Sequence, residues 1–403
     1  PYENKVSVQS SSAAINELFV DENIYLDDFE LSFSEDIING TVLPLELILT
    51  SSDGYARNHT VNVTVGEVRE TDPLGPDLYG YYIYDSGDTD YDLAPVYDWI
   101  EIADGLGEQL TLVDYGNGNY SGSYTYSSAV LELPFIFTFY GEDYNQIVVN
   151  TNGWISFGDF KMYSFRNYPI PGAGGPSPMV AAFWDDLKTG SGGYVHHYVT
   201  EEKVVIQWDD MRTYDGSSRE TFEIILYNKE LLSPTITGDS EIKIQYQEFN
   251  NTSDGYYPNG GTPTHGCYST IGIENHLGDI GLQYTFNNNY PEDASRIEDG
   301  SAIYITTGRM PRVNISIENV DFSNGILDIY VDTEESIAGF QFELLGITLT
   351  GASGGLAEIN DFMLSTSLTT VLGFSITGTF IPAGSGILTQ VSFSEYTGDE
   401  ICF

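Results

Sequence analysis

Between Leu133 and Leu187 the chain runs LPFIFTFYG, then IVVNTNGWISFG, then a Gly/Pro loop, then MVAAFWDDL. Aromatic and β-branched residues fill these short runs, and Gly, Asn and Pro bound them, which is the composition of strands in a rigid β scaffold. Phe183-Trp184 reads as buried and leads straight into Asp185-Asp186, so carboxylates are expected at the rim of that scaffold.

These residues resemble the nidogen-type extracellular domain. Its hallmarks are a Phe-rich strand ending in Gly, an NTNG turn before a strand ending in Phe-Gly, and an aromatic-Asp segment before a G-x-V-x-Y strand. Here the last element is Gly193-Tyr194-Val195-His196-His197-Tyr198, with the Tyr one place late. The resemblance spans roughly Leu133 to Tyr198 and implies an extracellular, non-catalytic module used for adhesion or assembly.

A chain of 403 residues exceeds one ordinary core, since domains run to ~100–200 residues. The expected class is all-β, as serial antiparallel β-sandwich domains. Residues 1–66 form a small unit in which Phe29, Leu31 and Phe33 alternate, Asn39-Gly40 and Asp53-Gly54 turn, and Val61, Val63 and Val65 close the pattern. This is short of the ~7 strands of a full sandwich, so the unit is read as incomplete or completed by another segment. Residues 67–307 open on a Pro/Gly/acidic linker to about Gly80. They continue through strands marked by Val204, Ile206 and Trp208, by Phe222, Ile224 and Leu226, by Ile242 and Ile244, by Leu282, Tyr284 and Phe286, and by Ile303 and Ile305. A single helical turn fits within Ala94 to Ala103. Residues 308–403 place an Asn324-Gly325 turn before alternating Ile and a Gly-Phe-Gln-Phe strand, which is similar to the cohesin class of docking sandwiches.

Sixty Asp and Glu against fourteen Lys and Arg give a formal charge of -46. That field repels phosphate backbones and anionic lipid surfaces, so neither nucleic acid nor membrane headgroups are expected partners. Thirty Tyr, twenty-one Phe and four Trp argue that the acidic chain folds all the same. No run of ~18 apolar residues is present to span a bilayer as a helix. The chain begins at Pro1 with neither an initiator Met nor a signal segment, which is read as a processed part of something longer. Cys267 and Cys402 fall in different expected domains, and each is read as a buried free thiol. Sequons occur at Asn39, Asn58, Asn62, Asn119, Asn250, Asn251 and Asn314.

Asp85, Asp88, Asp90 and Asp92, alternating in a Gly-containing loop, are the candidate calcium ligands, because Ca²⁺ takes six to eight flexibly placed oxygens. They do not follow the EF-hand pattern: counting from Asp88, the sixth position is Leu93 and the twelfth is Trp99. Asp185 and Asp186 are a weaker metal candidate. Neighbours on a strand point to opposite faces, so at most one of that pair, and one of Asp209-Asp210, is expected to face the interior. The same divergence makes His196-His197 one packed ring and one exposed ring rather than a metal pair. Gly351-Ala-Ser353-Gly-Gly355 matches the nucleophile-elbow string, but the last histidine is His276, so the Ser, acid, His order cannot follow it. Tyr124, Tyr126, Tyr163, Tyr168, Tyr256 and Tyr257 lie in polar loops where sugars or a protein could stack.

The function expected is that of a non-catalytic secreted or cell-surface protein that works by protein association or self-association, in adhesion, scaffolding or fibre assembly. An open sheet edge in the first unit is expected either to be capped or to pair with a strand from a neighbouring chain, giving head-to-tail filaments as a strand-addition polymer. The alternatives are a non-catalytic accessory region of a large secreted peptidase, which similar nidogen-like units with flanking sandwiches resemble, and a carbohydrate-binding module.

Overall fold

The computed structural model describes residues 6–396 and 400–403 except 16, 18–20, 22, 27–28, 35–36, 117–126, 163–164, 190–191, 215–217 and 255–266. The chain is all-β and divides into two compact units, Pro1–Arg309 and Met310–Phe403.

The centre of the first unit is a sandwich of two antiparallel sheets. One is six-stranded, in the order Gly281–Thr285, Thr270–Glu274, Met179–Trp184, Trp154–Phe157, Glu142–Asn150 and Ser128–Phe139. The other runs Tyr82–Asp85, Ala302–Thr306, Ile242–Glu248, Arg219–Tyr227, Lys203–Thr213, Tyr194–Val199 and Glu108–Gln109, with Leu187–Lys188 beside Lys203–Thr213. Phe137, Ile147, Ile155, Val180 and Phe183 from the first sheet meet Val204, Ile206, Trp208, Phe222, Ile224 and Ile303 from the second in one buried cluster. Each large apolar side chain removed from water contributes about 1.5–3 kcal/mol, so this interface dominates the stability of the unit.

Strands buried on both faces read as continuous apolar runs rather than alternations. MVAAFW is such a run: Phe183 packs between the sheets, while Trp184 joins Trp154, Met179 and Ile170 in a second cluster on the other side. The second sheet is likewise covered at its back, where Ile102 packs on Val205 and Ile225. The segment that carries Ile102 was expected to contain a helical turn at Ala94–Ala103; it has no helical element, running without regular structure to Ile102 and turning only from Ala103. Its amides find side chains of the sheet: Asp98 N donates to Gln245 Oε1 at 2.6 Å, Ile100 N to Glu223 Oε1 at 3.2 Å and Ile102 N to Gln207 Oε1 at 3.0 Å. Gln207, Glu223 and Gln245 stand abreast in the ladder, so three neighbouring strands together offer acceptors to alternate residues of the crossing segment.

Within the same unit, Val6–Ser10 pairs with Glu30–Phe33, and Val42–Thr50 pairs with Ala56–Thr64, as two separate two-stranded sheets. The base of the second hairpin is tied to the sandwich by Asn39 Nδ2, 3.2 Å from Asp72 Oδ2, and by Ile38 packing against the Tyr82, Tyr84 and Tyr304 cluster.

The C-terminal unit is a smaller sandwich. A four-stranded sheet in the order Val313–Asp321, Ile326–Thr333, Gly384–Tyr396 and Ile347–Ser353 and a three-stranded sheet in the order Gly339–Glu343, Thr370–Phe374 and Met363–Thr366 share the core of Leu327, Ile329, Val331, Phe342, Val371 and Val391. Cys267 and Cys402 form no disulfide and belong to different units, and both are partly exposed rather than buried, because each lies in a loop or bridge outside the cores.

Candidate functional site

The NTNG turn and the Asp-Asp segment form one buried polar knot. Asn150 Nδ2 donates to Ser128 Oγ at 2.8 Å and Met162 O at 3.0 Å, and Asn152 N donates to Asn150 Oδ1 at 2.9 Å. Asn152 Oδ1 in turn accepts Leu187 N at 2.9 Å, Thr151 Oγ1 donates to Asp114 Oδ2 at 2.8 Å, and Trp208 Nε1 donates to Asn150 O at 2.9 Å. Ala182 N and Phe183 N both reach Gly153 O at 3.0 Å. The turn thus fastens the two sheets to each other, and its residues serve the interior.

Asp185 and Asp186 are both buried, which corrects the expectation of a rim position with one side chain inward. The strand ends at Trp184, so alternation no longer applies to them: Asp186 N donates to Asp185 Oδ1 at 2.7 Å, and Asp186 O accepts Tyr214 N at 2.7 Å. Asp209 and Asp210 sit at a bulge between Trp208 and Met211, and Asp210 pairs with Arg219. His196 is buried and His197 partly so, with His197 Nδ1 3.1 Å from Glu108 O.

The four loop aspartates part company. Asp85 is buried, with Oδ1 accepting Gly87 N at 2.6 Å and Oδ2 accepting Tyr284 Oη and Ser295 N at 2.9 Å. Asp88 is buried too, its Oδ2 accepting Asp85 N at 2.8 Å. Asp90 and Asp92 face solvent. The loop is a local cap in which two carboxylates hold amides, and among the described residues no three His, Cys, Asp or Glu side chains gather so as to hold a metal ion. Burial, with the neighbouring charges of Asp85, Asp72 and Asp293 behind it, pushes the Asp88 carboxyl up to about 8. Burial likewise lifts Glu220 to about 8 and Glu223 to about 7, and raises Asp114. The sequence patterns single out none of these last three, because each is one acidic residue in an apolar or mixed run. Of the loop tyrosines, Tyr168 is 42% exposed with its ring 6.3 Å from Trp184; Tyr124, Tyr126, Tyr163, Tyr256 and Tyr257 lie outside the described residues.

Among the described residues the hairpin of Val42–Thr50 and Ala56–Thr64, whose nine residue pairs are in unbroken register, pairs with no third strand. Val65 N donates to Thr41 O and Ser51 N to Tyr55 O, each at 2.9 Å, one pair beyond either end of that register. Antiparallel ladders alternate, so the odd-numbered residues of both strands bond inward and the even-numbered ones turn N–H and C=O outward. On Val42–Thr50 the outward set includes Pro44, which has no N–H to offer. On Ala56–Thr64 it comprises Ala56, Asn58, Thr60, Asn62 and Thr64, all exposed. Toward the base of the hairpin the odd-numbered side chains make an apolar face, Leu43 opposite Val63 and Leu45 opposite Val61, while Leu47 and Leu49 stand opposite His59 and Arg57. Between Val42 and Thr64 the only charged side chains are Glu46, Asp53 and Arg57, so this is a nearly neutral stretch of a strongly acidic chain.

No curated protein and no solved structure matches this chain. Residues 117–307, a span that holds the NTNG turn, the Asp-Asp segment and every strand of the six-stranded sheet, match the family model described as NIDO related.

Proposed function

We propose that this protein is a non-catalytic extracellular association module that adds a β-strand at the free edge of Ala56–Thr64. The NIDO-related match supports the extracellular setting. The hairpin carries the reading: a two-stranded sheet with an apolar face is marginal alone, and a third strand supplies the missing ladder. A second copy of the same edge fits best. When two such strands run antiparallel about a two-fold axis, outward residues meet outward residues, Thr60 faces its counterpart, and the two apolar faces fall on the same side of a four-stranded sheet. The near neutrality of the hairpin lets two copies approach there with the least repulsion.

Light scattering after size exclusion over a range of concentrations tests this. The expected result is a dimer that Thr60→Pro converts to monomer, because proline removes an outward donor and sits badly in a paired edge. A strict monomer at every concentration, or a dimer indifferent to Thr60→Pro, overturns the reading.

A further inference from the structure

On the outer face of the eight-stranded sheet, away from the knot, lies a groove of about 290 Å³ whose walls include Leu93, Pro95, Tyr227, Lys243, Tyr304 and Arg309. Only fourteen Lys and Arg oppose sixty Asp and Glu in the whole chain, and two of the fourteen share this groove. Lys243 is partly buried, and among the described residues it has no carboxylate within 4.0 Å. Its one hydrogen bond there goes to a neutral group, Val96 O, at 2.6 Å. Arg309 meets Glu241 only at 3.4 Å and donates from Nη2 to Tyr304 Oη at 2.9 Å; its Nη1 donates to no described residue. Burial pulls the Lys243 ammonium below its ordinary value, outweighing the opposing charges of Asp98 and Glu223, neither of which forms an ion pair with it.

A partly desolvated ammonium with no ion pair among the described residues, in one groove with a guanidinium whose Nη1 is uncommitted there, calls for a carboxylate. The rest of the groove calls for more than that. Tyr227, half-buried, offers ring surface and a hydroxyl, buried Tyr304 contributes to the wall, and exposed Asp92 at the margin is an acceptor. A compact body carrying both hydroxyls and a carboxylate uses all of these together. We infer that the groove binds an acidic sugar residue, a uronate, with its carboxylate on Lys243 and Arg309 and its ring against Tyr227. The overall negative field does not forbid this, since charges beyond about 8 Å are largely screened at physiological salt, and the nearest groups decide.

Calorimetric titration of the whole chain with glucuronate and with a galacturonate trimer, against glucose and acetate, tests the assignment. The uronates are expected to bind, with glucose and acetate each weaker by about tenfold or more, as for loss of a charge-assisted hydrogen bond or of the ring contacts. Lys243→Met is expected to weaken uronate binding by about tenfold with an unchanged circular dichroism spectrum, and Arg309→Gln, at a more exposed position, to do the same. No uronate binding, equal binding of glucose, or full binding in both variants overturns the site. Acetate binding as tightly as uronate overturns the sugar assignment and leaves a general anion cradle.

Discussion

Gly153 holds φ at +77°, and a Cβ built on it would lie 1.9 Å from Phe183 O. Any side chain there must push apart the turn and the strand that close the knot. Gly153→Ala is therefore expected to cost at least about 3 kcal/mol, read as a lower midpoint in urea unfolding. Gly158→Ala is the control: φ is +97° but nothing lies within 4 Å, so only the left-handed backbone resists it, at about 1–2 kcal/mol. The NTNG string was legible as a turn because Asn and Gly announce one. Its role was not, because the partners of Asn152 and Thr151 are Leu187 and Asp114, about 35 residues away on either side in sequence. The same distance hid the burial of Asp185 and Asp186. Alternation predicts where a side chain points only while the strand lasts, and this one ends at Trp184.

At the scale of elements, the strands at Val204 to Trp208, Phe222 to Leu226 and Ile242 to Ile244 were readable because one face of each is uniformly apolar. The segment over the back of that sheet was not readable. Its conformation is set by Gln207, Glu223 and Gln245, each of which looks in sequence like an ordinary polar residue on a strand. Replacing both Glu223 and Gln245 by Leu should free the amides of Asp98 and Ile100, so that their hydrogen exchange accelerates while the amides of Arg219–Tyr227 keep their protection. Equal acceleration in the strand would mean that the side chains hold the sheet rather than the segment. The incomplete look of the first 66 residues has its counterpart in a hairpin that pairs with no third strand among the described residues. The free side of that hairpin emerges only from the backbone alternation.

Across the whole molecule, buried carboxyls with raised pKa values set how stability follows pH. Asp88 and Glu220, lifted to about 8, and Glu223, lifted to about 7, keep protons in the folded state that they release in the unfolded chain. Between the ordinary carboxylate range near 4 and about pH 8, the folded form therefore binds more protons, and stability falls as pH rises. Asp72 and Glu101, held low by hydrogen bonds that outweigh burial, act in the opposite sense only below that window. Calorimetry is expected to show a lower melting temperature at pH 8.5 than at pH 5.5, and Asp88→Asn should flatten the slope. A melting temperature that climbs over this interval would contradict the assignment. Pro44 bears on the whole assembly as well. With one flank of the ribbon capped by a proline nitrogen that has no proton, the association proposed for this hairpin would halt after a single event, in a closed pair rather than an amyloid-like stack.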